Sequence, residues 1–216
     1  MTCQWVVSLD FHYMRGLIAL LNSIILNAAC PDSLFFHFPV LAAEKEQTSK
    51  TLLSFFSDLQ FQTYLIDGYN LQKSVRQMAD RSEDLESPLN YARIYLPHML
   101  PACVRRCIYL DTDMVVLDRI ELLWQTDLGE HVIASPEFCE HPFERYFTEY
   151  FWQNKTLSGK YETKRDACYF NPGVMLFDTA KWRQHDITRK LLRWMNVQKE
   201  GAERIYRLRA LAPFLL

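Results

Sequence analysis

No stretch of this sequence is long and apolar enough to cross a membrane. The best candidate, Leu17 to Ala29, is interrupted by Asn22, Ser23 and Asn27 and falls short of the roughly 20 apolar residues that a spanning helix needs. A cleavable leader is lacking as well, because Met1-Thr2-Cys3-Gln4-Trp5 has no basic region followed by an apolar one. Charge of one sign is not in excess: the formal net charge is -2 and no basic stripe is visible, which removes the electrostatic reason to expect nucleic acid. There is no low-complexity tract and no repeat at solenoid periods. None of the cysteines, at 3, 30, 103, 107, 139 and 168, forms a C-x-x-C pair, which argues against a zinc site. Cys103 and Cys107, in an apolar-basic stretch, are expected to be core thiols.

What is present fits one folded unit. A chain of 216 residues, 49% hydrophobic, can bury a packed core as a single domain over 1–216. Trp5 to Leu9 reads as a buried strand. Leu17, Leu20, Leu21, Ile24 and Ile25 recur at three- and four-residue spacing and mark one apolar helix face. Cys30-Pro31-Asp32-Ser33 breaks that helix, and Leu34 to Val40 is extended. A polar helix over Glu44 to Leu59 leads to a strand at Phe61 to Ile66. This alternation predicts an α/β fold with a mostly parallel central sheet flanked by helices. Arg76 to Ser87 is polar and charged, and Pro88 opens a helix-like stretch to Leu96. Strands are expected at Cys107 to Leu110, Val132 to Ala134 and Tyr169 to Phe177, with a helix over Lys181 to Lys199. Phe138 to Arg165 is aromatic and polar without period and reads as a long connection near the site. It contains a sequon, Asn154-Lys155-Thr156, a triplet that also arises often by chance.

The sharpest local feature is Ile108-Tyr109-Leu110-Asp111-Thr112-Asp113. Residues two apart on a strand share a face, so two carboxylates at its C-terminal end are expected to converge where open α/β sheets place ligands. Hard divalent cations take oxygen ligands and often only one or two carboxylates. The plainer alternative is a pair of turn carboxylates capping the next element.

Leu89-Asn90-Tyr91-Ala92-Arg93-Ile94-Tyr95-Leu96, Tyr109 to Asp113, Leu123-Trp124-Gln125-Thr126-Asp127-Leu128-Gly129, Tyr169-Phe170-Asn171-Pro172-Gly173-Val174-Met175-Leu176 and Lys181-Trp182-Arg183 follow one another in an order and spacing that resemble family 8 glycosyltransferases. Within that family the chain is most similar to the plant galacturonosyltransferase-like proteins, through Ser8 to Gly16 and the Ala29-Cys30-Pro31 break. The resemblance covers essentially the whole chain. It implies a GT-A type nucleotide-diphospho-sugar transferase fold, and transfer of a sugar from UDP with retention of configuration. The expected enzyme is a hexosyltransferase using UDP-sugar, UDP-galacturonate among the candidates, with Mn2+ or Mg2+, on a cell-wall or pectic glycan acceptor. Golgi localisation is implied too, normally through an N-terminal anchor that this sequence does not contain.

Site roles follow from the same resemblance. Asp10 and Tyr13 match positions that meet the uracil; without it they read as a helix cap and a surface aromatic. Arg93 matches a donor-binding cation. Asp111 and Asp113 match the metal pair, Asp111 also lying near the ribose. Asn171 and Gly173 match a turn bordering the donor sugar, and Glu137 an acidic position beside it, which makes Glu137 and Asn171 the candidate catalytic residues. Pro172 departs from the family, where a small residue stands; it removes an N–H and restricts Asn171. The histidines are read as structural or exposed, Trp182 as core and Asp178 as a cap.

The family pattern continues with an acidic-amide element and a His-x-x-Gly-x-x-Lys-Pro-Trp stretch that do not occur here, and the apolar ending Leu211 to Leu216 is expected of a chain shortened at its C-terminus. A second expectation is therefore a catalytically impaired protein that holds UDP-sugar without turnover. A third, a haloacid-dehalogenase-type phosphohydrolase, shares the Asp-x-Asp-x-Val pattern of Asp111, Asp113 and Val115. It wants that motif at the start of its fold and a downstream pair of acids, neither of which the sequence offers.

Overall fold

The computed structural model describes residues 3–7, 13–66, 89–201 and 203–206. The expectations for Asp10, for the polar stretch 76–87 and for the ending 211–216 lie outside these residues.

A six-stranded sheet organises the described chain. Strands β1 (Cys3–Val7), β2 (Leu34–Leu41), β3 (Phe61–Ile66), β4 (Arg106–Leu110), β5 (Ile133–Ala134) and β8 (Val174–Asp178) are ordered β3-β2-β1-β4-β8-β5. Pairing is parallel from β3 through β4, while β8 runs antiparallel to both β4 and β5. The expected mostly parallel sheet is thus present with one reversed strand. Parallel strands need crossovers, and β1 reaches β2 through α1 (Met14–Asn27), β2 reaches β3 through α2 (Lys45–Phe55).

Period-two alternation assigns the two sheet faces. Ile108, Leu110 and Leu176 join Trp5, Phe36, Phe38 and the apolar stripe of α1 in one buried cluster. Cys107, Tyr109, Met175 and Phe177 point the other way, against α3 (Leu89–Met99), α7 (Thr179–Gln184) and α8 (Ile187–Glu200). Helices therefore cover both faces of the sheet.

His37 is the polar exception. It lies on β2 opposite Phe36 and Phe38 and is buried, with Nδ1 2.9 Å from Tyr64 Oη and Nε2 2.6 Å from Gln4 Oε1. The carboxamide oxygen can only accept, so Nε2 carries the proton and Tyr64 donates to Nδ1. Burial lowers the His37 pKa to about 4. Above pH 6.5 neither folded nor unfolded chain is protonated there and stability is unaffected. As pH falls from 6.5 towards 4 the unfolded chain takes up a proton that the folded one refuses, at a cost of up to about 3 kcal/mol. Thermal melting is expected to fall over that window, and His37→Gln to flatten the fall.

Several expectations are corrected. The expected strand Tyr169 to Phe177 is two: β7 (Cys168–Phe170) and β8, separated by Asn171-Pro172-Gly173. Pro172 cannot donate to a ladder, and Asn171 Oδ1 accepts from Gly173 N at 2.9 Å, closing a turn instead. The expected helix Lys181 to Lys199 is likewise two, because Asp186 takes a left-handed backbone, φ 51°, between α7 and α8. Asp178 does cap α7, accepting from Lys181 N at 2.8 Å, and Trp182 is core. Cys107 is a buried thiol, its pKa pushed up to about 12 by burial, but Cys103 is exposed on the turn before β4.

The stretch expected to be a connection builds a lobe of its own. Strand β6 (Glu137–Pro142) pairs with β7, and α5 (Glu149–Gln153) and α6 (Lys155–Ser158) pack with 3-10 turns around Phe143, Phe147, Phe151, Trp152 and Tyr169. Helices of four or five residues are too short to display a helical period, so pattern reading sees only aromatic richness. Cys139 and Cys168 form a disulfide across β6 and β7. Closing a loop of 29 residues' separation stabilises by about 3.5 kcal/mol in the chain-entropy model. Cys139→Ser with Cys168→Ser is expected to lower the lobe's resistance to proteolysis by that order, while the sheet's slow-exchanging amides persist; equal loss in both would show the lobe is not separately stabilised.

Candidate active site

The strand order reverses between β1 and β4. One neighbour of β1 is the next strand in sequence and the other is β4, the kind of reversal point at whose C-terminal strand ends open α/β sheets bind ligands. Asp111, Thr112 and Asp113 follow β4 at that end. The strand stops at Leu110, and the two carboxylates stand in a turn rather than on the strand, so the expected strand alternation does not govern their direction.

The turn is held from three sides. Asp111 N donates to Gly173 O at 2.9 Å, tying it to the turn before β8. Asn27 Nδ2 donates to Val116 O at 2.9 Å, and Val116 N donates to Ser23 Oγ at 2.9 Å, fixing the segment after it to α1. Gly16, in the first turn of α1, lies so close that a Cβ there would sit 2.6 Å from Thr112 O. Only glycine permits that approach.

Asp111 is half-buried, its side chain 35% exposed, and its two oxygens have different surroundings. Oδ1 accepts from Tyr109 Oη at 2.5 Å and from Arg93 Nη2 at 3.3 Å. Arg93 is 5% exposed, stands 4.9 Å from the centre of the Tyr109 ring, and also donates to Pro172 O at 3.1 Å. Oδ2 faces Gly173, where an added Cβ would be 3.0 Å from it and 3.0 Å from Asn171 Oδ1. One oxygen is thus anchored while glycine keeps the space beside the other open. That donor set, an oriented carboxylate oxygen with the exposed Asp113 carboxylate two residues on, fits a hard cation. Among the described residues the one group of three with ligand spacing is Glu137, Cys139 and Cys168, and its two sulfurs are consumed by the disulfide.

The chain matches the model of Glycosyl transferase family 8 over residues 5–216. It belongs to that family. Similar plant proteins include the probable galacturonosyltransferase-like 10 of Arabidopsis thaliana, 42% identical over 213 residues, and galacturonosyltransferase-like 5 of the same plant, 44% identical over 212. Each match covers 97% of this chain and 57% of the relative, so the chain spans less than two thirds of the relatives' length. Among solved structures, the galactosyltransferase LgtC with donor and acceptor sugar analogs has a TM-score of 0.64 at 24% identity, over 94% of this chain and 67% of that one. Mouse xyloside xylosyltransferase 1 has a TM-score of 0.62 at 16% identity, over 99% and 80%. The fold is GT-A.

The family 8 chain brings most of the expected residues to one end of the sheet. Arg93 and Gly173 both bond to Asp111, and Arg93 also donates to the Pro172 carbonyl. Asn171 is exposed and spends Oδ1 on Gly173 N, which leaves its amide nitrogen as the donor towards a ligand. Glu137 is exposed on β6 opposite Phe170, one residue from Asn171 along the paired strand, and Asn171 N donates to Pro136 O at 2.8 Å. Tyr13, just before α1, is 61% exposed. Asp10 lies outside the described residues. Sequence reading missed two contributors. Tyr109 stands on β4 two residues before Asp111 and donates to its carboxylate across the strand end, a bond that spacing alone does not show because Asp111 lies beyond the strand. Ser135, whose Oγ donates to Asn171 O and to Val174 O, left no signal, because it clamps a turn 36 residues away.

Proposed function

We propose that residues 1–216 act as one GT-A unit of a retaining hexosyltransferase that binds a UDP-sugar and transfers the sugar to a glycan hydroxyl. UDP-galacturonate as donor and a pectic acceptor are the favoured pair, on the strength of the plant relatives' names. The observation that carries the reading is the split environment of Asp111 at the sheet's reversal point in a family 8 chain.

Asp111, through Oδ2, and Asp113 are the residues that would hold Mn2+ or Mg2+. When bound, the cation supplies Lewis-acid stabilisation of charge on departing UDP. Tyr109 and Arg93 keep the Asp111 carboxylate from rotating, so its orientation is set before donor arrives. Arg93, which donates to Asp111 and to the Pro172 carbonyl, reinforces the cationic side of the diphosphate pocket. The exposed Tyr13 ring offers a flat face for uracil, with Asp10 as the hydrogen-bonding partner. Asn171 Nδ2 donates to sugar hydroxyls, and Glu137 stands by the transferred sugar as the candidate catalytic carboxylate. The disulfide suits an oxidising lumen such as the Golgi; among the described residues no helix is long and apolar enough to cross a membrane.

The experiment is UDP release with Mn2+ across a panel of UDP-sugars, with and without oligogalacturonide acceptor. Release that requires both cation and one UDP-uronate supports the reading. Equal release from all donors, or none from any with the protein folded, overturns it.

A further inference from the structure

Asn154-Lys155-Thr156 is the one Asn-x-Ser/Thr triplet in the sequence, and glycosyl transfer makes no use of it. The fold sets it in the corner of the aromatic lobe where α5 ends at Gln153 and α6 begins at Lys155. Asn154 is half-buried, Lys155 and Thr156 exposed. The backbone there is fully committed: Asn154 N donates to Tyr150 O at 3.1 Å, and Asn154 O accepts from Leu157 N and Ser158 N, each at 2.9 Å.

The side chain is used by one atom only in the bonds it shows. Asn154 Oδ1 accepts from Thr156 N at 3.1 Å and caps α6. N-glycosylation modifies the other atom, Nδ2, and the product remains a carboxamide whose oxygen still caps. Cap and glycan are therefore compatible on one residue, which is not true of an asparagine whose nitrogen holds the fold together. A second feature points to the same compartment. The Cys139–Cys168 disulfide lies in this lobe, and such bonds persist in the oxidising lumen where glycans are attached.

We propose that Asn154 is an N-glycosylation site and that the aromatic lobe presents its glycan to solvent. The inference rests on the lumenal setting given above, not on the transferase chemistry. In the transfer, Asn154 Nδ2 attacks C1 of the first sugar of a polyprenyl-diphosphate oligosaccharide. The N–C1 bond forms, the C1–O bond to the diphosphate breaks with its electron pair leaving on the lipid diphosphate, and one amide proton passes to solvent.

The test expresses the full protein in a plant host and examines the peptide carrying Asn154 by mass spectrometry, before and after peptide N-glycosidase. The expected result is a glycopeptide that the enzyme converts to Asp at 154. Asn154→Asp, which keeps the capping oxygen and removes the acceptor nitrogen, and Thr156→Ala should abolish the modification, while Thr156→Ser should retain it. Asn154→Asp should keep the melting temperature of the unaltered protein made in a host that attaches no N-glycans, which separates loss of glycan from loss of fold. A bare Asn154 in protein that releases UDP overturns this proposal and leaves the proposed function standing. A glycosylated protein with no donor specificity does the reverse.

Discussion

Asp113→Ala is expected to fold as the unaltered protein does and to lose cation-dependent UDP release on the order of a thousandfold, about 4 kcal/mol of transition-state stabilisation. Asp113 is exposed in the turn after β4, so its removal takes little from packing. Its proposed task arises only when cation and diphosphate are present. Asp111→Ala should differ. It removes the same chemistry and also takes from Arg93, a 5% exposed cation, the carboxylate it pairs with. Breaking a buried pair costs several kcal/mol, and with Asp111 itself 35% exposed the expected destabilisation is about 2 kcal/mol. Melting curves with UDP release on both variants check the pair of outcomes. Asp113→Ala retaining full activity would remove the basis for the site.

Gly16→Ala should lower activity about a hundredfold although nothing at Gly16 needs to touch substrate. Helix propensity alone favours alanine by about 1 kcal/mol at an interior helix position. Here the new Cβ would stand 2.6 Å from the Thr112 carbonyl oxygen, a backbone atom that cannot rotate away. Either α1 or the Asp111-Thr112-Asp113 turn must shift, and overpacking of this kind costs about 2 kcal/mol. A displacement approaching 1 Å at reacting groups is worth about a hundredfold in rate. The decisive readout is the apparent affinity for Mn2+ in the variant. If the turn moves, it weakens together with turnover; if α1 yields instead, stability falls and cation affinity holds.

The Asp111 and Gly16 variants depend on contacts that differ in how well the sequence announced them. The apolar runs at Trp5, Leu34, Phe61 and Cys107 and the stripe of α1 follow from periodicities of 2 and 3.6, which belong to the local chain and survive in the sequence. Strand β1 starts at Cys3, two residues before pattern places it, since pairing and not propensity decides the first hydrogen bond. The aromatic lobe was invisible as a lobe because its helices have only four or five residues. The breaks at Asn171 to Gly173 and at Asp186 interrupt apolar patterns that otherwise run through. A proline beside a glycine gave notice of the first, and a left-handed aspartate gave none of the second.

The amino-acid order by itself determined the layered α/β class, the apolar faces, the Asp111-Thr112-Asp113 motif at a strand end and, through motif order, the family. Tertiary structure alone decided that Asp111 offers one anchored and one open oxygen, that Arg93 is buried against it and not solvated, and that Cys139 joins Cys168. Those facts depend on groups brought together from 18, 62 and 29 residues away in the chain, respectively Arg93, Gly173 and the bridged cysteine. Local spacing encodes which way a side chain faces on its own element; which partner it finds there is set by how the elements pack.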